Sequence, residues 1–204
     1  MLTTSFRRLK DHQACTARYR HLAKALGGIT KYGRDKPIPL VVILEHNRLE
    51  DTMWALPTVP DSQRDEMIRV SRLFACRCVR ETPLADGRKV WDLLEDERSR
   101  EAVRVAERHA VGEATDAARA AACDDACDAA RAAACDASWY AARAAAWAAT
   151  RADAAWDASY YAARAATYDD ARDASWHAAW YAAWAAARDA EAEILREMLS
   201  ETEA

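Results

Sequence analysis

The chain has 204 residues, 50 of them alanine, with 29 Lys+Arg against 33 Asp+Glu and a formal net charge of −4. The longest aliphatic run, Leu40 to Leu44, falls far short of the ~20 residues of a membrane helix, and no apolar core follows Phe6-Arg7-Arg8 to make a secretory signal. The six cysteines (15, 76, 78, 123, 127 and 135) form no disulfide framework of a small secreted domain, so reduced thiols in a cytoplasmic protein are expected.

Charge is uneven along the chain. Residues 1–110 carry 21 basic and 16 acidic side chains, a net of +5, and residues 111–204 carry 8 and 17, a net of −9. Residues 1–36 hold nine basic and two acidic groups. Such an arm can bind nucleic acid, or it can dock on the acidic half of its own chain.

The first predicted helix is capped by Thr3 or Thr4 and runs to about Leu26, with Phe6, Leu9, Tyr19, Leu22 and Leu26 near helical spacing. Gly27-Gly28 stops it, because glycine takes a left-handed backbone cheaply. After a loop over Lys31 to Pro37, residues 39–46 are rich in Val and Ile and read as a strand by propensity. A short helix is preferred, since no partner strand is visible. Another short helix covers Glu50 to Leu56, and Pro57 and Pro60 end it. Asp61 or Ser62 caps a helix to about Arg80, and a turn comes next at Pro83 to Gly87. A further helix spans about Val90 to Ala110, then Gly112 interrupts and Thr115 caps the helix after it.

From Arg119 a four-residue repeat takes over. Its members are Arg119, Cys123, Cys127, Arg131, Cys135, Trp139, Arg143, Trp147 and Arg151. After one five-residue step it resumes as Trp156, Tyr160, Arg164, Tyr168, Arg172, Trp176, Trp180, Trp184 and Arg188. The residue before each member is Ala, Ser or Thr. Alanine is the best helix former, and no Gly or Pro lies beyond Gly112. Each tetrad advances an ideal helix by about 400°, so the large residues drift by about 40° per step. Unbroken, the tract would span roughly 110 Å, more than a compact domain of this size allows. Two arrangements fit: two long helices packed as a hairpin that turns at the slipped step, or one right-handed superhelix.

The aromatic and arginine members supply the candidate binding site. Arg172, Trp176, Trp180, Tyr181, Trp184 and Arg188 could stack a planar ligand and hold a phosphate. Alternatively they fill the core of a helix that has few other large groups. Cys123 and Cys127 share a helix face beside Asp124, Asp125 and Asp128, but no second cysteine pair completes a metal site. The five histidines are scattered and build no triad with Ser or Cys. No catalytic residue, cofactor or metal is assigned.

Two blocks of sequence carry a resemblance. One runs from Thr3-Thr4-Ser5-Phe6-Arg7-Arg8-Leu9-Lys10 through Ala23-Lys24-Ala25-Leu26-Gly27-Gly28 and Lys31-Tyr32-Gly33-Arg34-Asp35. The other is Gly112-Glu113-Ala114-Thr115 leading into the Ala/Trp/Arg/Asp tract. Together they resemble an alanine-rich family of bacterial and phage genomes that bears an immunity-protein label. The resemblance implies a small non-enzymatic protein that binds and neutralises a toxin or defence component.

The expected fold is therefore all-α, with an N-terminal multi-helix part over residues 1–112 and an alanine-rich helical region over 113–204. The expected function is binding of a protein partner. The alternatives are a sponge for a nucleotide signal and nucleic-acid binding by the basic first helix. Self-association through alanine faces is open, and no membrane association is expected.

Overall fold

A computed structural model describes residues 1–133, 136–149, 155–170 and 176–201, with side chains except at 136, 168–170 and 176–180. Among the described residues the protein is all-α, with eleven α-helices and one short ribbon of two-residue strands. By contacts it divides into two compact units, residues 1–67 with 195–204 and residues 68–194. That division follows packing, whereas the composition changes near Gly112, inside the second unit.

In the first unit the chain enters through β1 (Thr3–Thr4), paired antiparallel with β2 (Ile38–Pro39). Ser5, not Thr3 or Thr4, caps α1 (Phe6–Asp11) by accepting from Arg8 N. The predicted single helix to Leu26 is broken at Gln13, whose φ is 62°, and restarts as α2 (Thr16–Ala25). Next come α3 (Ile29–Tyr32), α4 (Leu40–His46) and α5 (Leu49–Ala55). The 39–46 segment is thus chiefly helical. Its first residue, Pro39, also belongs to a strand, whose partner at Thr3–Thr4 carries no strand pattern in the sequence. Phe6 is fully buried and meets Tyr19 and Tyr32 edge-on at 5.5 and 5.8 Å. Leu22, Leu40, Ile43, Leu49 and Met53 are buried with it.

α6 (Arg64–Glu81) leads into the second unit, where a turn with Gly87 and a 3-10 turn (Val90–Leu93) precede α7 (Glu97–Ala110). The helix predicted from Val90 starts later because Asp96 accepts from Arg98 N and caps it there. The tract then forms four helices, α8 (Asp116–Ala132), α9 (Asp136–Ala148), α10 (Ala155–Asp170) and α11 (Trp176–Glu201). The described stretches of the tract are thus four helices, and the residues between them, 134–135, 150–154 and 171–175, lie outside the described ones. The slipped step of the repeat, from Arg151 to Trp156, falls mostly on residues 150–154, outside the described residues.

Successive helices of the tract run antiparallel. Arg119 of α8 donates to Ala149 O and Cys123 to Ala146 O, and Tyr140 and Arg143 of α9 meet Arg164 and Tyr161 of α10. Their facing surfaces are alanine: Ala126, Ala141, Ala144, Ala145, Ala158, Ala162 and Ala165 are all fully buried. A methyl group contributes little area. It does let two backbones approach closely, which gives many dispersion contacts at native density.

Candidate functional site

Cutting the tract into helices of 13 to 26 residues changes what a period of four does. Over the two steps from Trp139 to Trp147 the drift is only about 80°, so the large residues of α9 stay on one side. Alanines occupy the close-packed faces, and the large members lie along their margins. Every described side chain of α9 and α10 that is not buried is half-buried, and most of these are aromatic or arginine.

The rings form a continuous chain across three helices. Trp139 meets Tyr140 at 4.8 Å and Tyr161 at 6.0 Å, Tyr161 meets Tyr160 at 5.7 Å, and Tyr160 meets Trp184 of α11 at 5.5 Å. Arginines are interleaved among them. The Arg143 guanidinium lies 5.8, 5.5 and 5.6 Å from the ring centres of Trp139, Trp147 and Tyr161. Arg164 sits 4.7 Å over Tyr140 and donates to Tyr140 Oη at 2.8 Å and Tyr160 Oη at 3.2 Å. Burial acts to lower the Arg164 pKa, and the two hydroxyl bonds outweigh it, so the net shift is upward.

Arg188 has a different setting. It lies 4.6 Å over Trp156, is 8% exposed, and donates to Ser159 Oγ at 3.1 Å and Glu191 Oε2 at 2.6 Å. Glu191 is fully buried and accepts from Thr82 Oγ1 at 3.5 Å. This is a buried ion pair that joins α10, α11 and the segment after α6.

The six residues singled out from the sequence therefore separate. Arg172 lies outside the described residues, and Trp176 and Trp180 are placed on α11 without described side chains. Tyr181 is 66% exposed. Trp184 and Arg188 are brought together with Trp156 and Tyr160. The residues missed, Trp139, Tyr140, Arg143, Trp147, Tyr161 and Arg164, had a signal, since most are members of the same repeat. Tyr140 and Tyr161 are not members; each stands directly after one.

Other chemistry-bearing groups are engaged in structure. His109 Nδ1 accepts from Arg72 at 2.6 Å, and its Nε2–H donates to Asp116 at 2.9 Å, so both ring nitrogens are occupied. Burial pushes the Cys76 and Cys78 thiols well up, and burial together with Cys127 pushes Cys123 up to about 11. His177, Cys135 and Asp153 fall on residues or side chains that are not described. Among the described residues no three His, Cys, Asp or Glu side chains group as metal ligands. No described helix is long and apolar enough to cross a membrane. Compared with protein-family models, curated proteins and solved structures, the chain matches none.

Proposed function

We propose that the chain is a non-enzymatic binding protein that engages a protein partner through the aromatic and arginine ladder of its second unit. The observation that carries this is the Arg143 cluster, a guanidinium held among Trp139, Trp147 and Tyr161, all half-exposed. Trp, Tyr and Arg are the residues that dominate binding energy at protein interfaces. Alanine packing fixes the helices that present them, so little ordering entropy is lost on association. The resemblance to alanine-rich immunity proteins supports a partner of the toxin or defence class, neutralised in the cytoplasm by occlusion.

The test is affinity capture from the source cells with wild-type protein and with a Trp139→Ala/Arg143→Ala/Tyr161→Ala variant of unchanged circular dichroism. A partner bound by the wild type and lost by the variant is expected. An identical set of captured proteins, or steady turnover of a nucleotide or peptide by the pure chain, would sink the reading.

The second reading is a nucleotide sponge on the same face, favoured by arginines already stacked on rings. A thermal shift with nucleotides that disappears in Arg143→Ala or in Trp184→Ala supports it. No shift with any nucleotide counts against it.

A further inference from the structure

Residues 1–36 carry nine basic and two acidic side chains, and most of the nine stand without a carboxylate. Arg7 pairs with Asp35 at 2.5 Å, Arg18 approaches Asp51 at 3.5 Å, and Arg8 donates to Val59 O. The side chains of Lys10, Arg20, Lys24, Lys31, Arg34 and Lys36 are exposed and make no ion pair or hydrogen bond with any described residue. Along α6 and α7 pairing is the commoner state: Arg77 holds Glu81, Arg80 holds Glu107, Arg104 holds Glu97 and Arg108 holds Glu101.

Four of the nine are drawn together at the start of α1. Gly33, at φ 106°, turns the chain after α3 back on α1. Arg7 N then donates to Arg34 O at 3.0 Å, and the Arg7 guanidinium holds Asp35. Lys36 Nζ stands 4.7 Å over Tyr32, whose ring meets Phe6 at 5.8 Å. Burial raises the Tyr19 pKa and the Arg34 charge pulls against it, which sets Arg34 near the second ring packed on Phe6. Lys10 lies one turn along α1 from Arg7, on the same side of the helix. Asp11 and Asp35 are the two carboxylates of residues 1–36, and Asp35 is already held by Arg7.

We propose that this patch binds nucleic acid through the phosphate backbone, without reading bases. Lys10, Arg34 and Lys36 supply the phosphate contacts, and the Arg7–Asp35 pair fixes the turn that carries two of them. Contacts of this kind position a protein on nucleic acid and carry no sequence information. An anionic bilayer fits less well, because stable attachment needs an apolar anchor beside the charge. The large apolar side chains of α1 to α3 are turned inward: Phe6, Leu9 and Leu22 are buried, and Leu26 and Ile29 are half-buried.

The test is fluorescence anisotropy of a labelled DNA duplex titrated with the full chain. Three phosphate contacts predict a slope of log K against log salt near −3, a loss of roughly 50-fold in affinity between about 50 and 200 mM salt. Arg34→Glu/Lys36→Glu should weaken binding at least about tenfold at low salt and flatten the slope to about −1. Lys10→Glu alone should weaken it about threefold or more. Lys89→Glu/Arg131→Glu makes the same change in net charge at exposed positions of the second unit, and it should stay within about threefold of wild type. Every variant alters an exposed side chain and is checked by circular dichroism. Two duplexes of unrelated sequence should bind alike. No binding at low salt, an affinity indifferent to salt, equal losses in the two double variants, or a strong preference for one sequence would each overturn the assignment. So would tighter binding to phosphatidylserine vesicles than to the duplex at the same salt.

Discussion

At Gln13 the chain takes a left-handed backbone, φ 62°, and the only other positive φ values in the described chain belong to glycines. Gln13 N donates to Lys10 O and Ala14 N to Leu9 O, which is the Schellman pattern that ends a helix. The same pair of bonds ends α2, through Gly27 to Lys24 O and Gly28 to Ala23 O, and ends α7 through Gly112 and Glu113. A side chain in this conformation costs about 1–2 kcal/mol, partly offset by the lower chain entropy of glutamine when unfolded. Gln13→Gly should therefore stabilise the protein by about 0.5–1 kcal/mol, read as a higher midpoint in urea. A lower midpoint would show that the glutamine side chain makes a contact worth more than the strain. Two helix stops were legible because glycine marks them, and the third was not, because glutamine gives no such mark.

Within elements, the main polar tie is Arg188 with Glu191, one turn apart on α11 and braced by Ser159 of α10 and by Thr82. Removing one partner of a buried pair leaves an uncompensated charge. Glu191→Ala is expected to cost about 3–5 kcal/mol in chemical denaturation. The double variant Arg188→Met/Glu191→Leu should recover most of that loss, because apolar residues of similar volume need no partner. If the double variant is no better than the single one, packing rather than charge explains the cost.

Close backbone approach makes the opposite demand. Ala145 is fully buried and Ala121 is exposed. Ala145→Leu should destabilise by about 1–3 kcal/mol through overpacking, and Ala121→Leu should stay within about 0.5 kcal/mol of wild type. The helical nature of the tract was legible from alanine content and the cap at Thr115, whose side chain accepts from Ala118 N. Its division into four helices was not. The ends near Ala133 and Ala149 carry no Gly or Pro to mark them. Without the breaks, the sequence does not give the register that sets Tyr140 against Arg164, and so does not single out the aromatic and arginine residues of α9 and α10.

Across the whole molecule, charge and burial set how stability responds to conditions. Asp96, Glu101 and Asp116 titrate below the ordinary carboxylate range, chiefly through side-chain bonds to Arg98, Arg108 and His109 respectively. A carboxyl group depressed in the folded state binds protons more readily when unfolded. Its contribution is therefore present above the unfolded pKa and is lost as pH falls through the folded one. The melting temperature should hold between about pH 7 and 5 and drop below about pH 4. The slope should be modest because these pairs are exposed and solvent-screened.

Burial makes a sharper distinction than charge. Every described side chain of α9 from 137 to 148 is buried or half-buried, and α9 packs against α7, α8 and α10. α8 has one face in solvent, with Asp124, Asp125 and Asp128 exposed. Amides exchange through openings whose free energy follows the packing lost. α9 should therefore carry the slowest hydrogen exchange of the alanine-rich helices, and α8 should exchange faster even though its alanine content favours helix as strongly. The order separates two sources of helical stability. If intrinsic propensity held the tract together, α8 and α9 would be protected alike. If inter-helix packing does, protection follows the number of neighbours, and it falls selectively in α9 and α10 when Ala145→Leu forces their backbones apart.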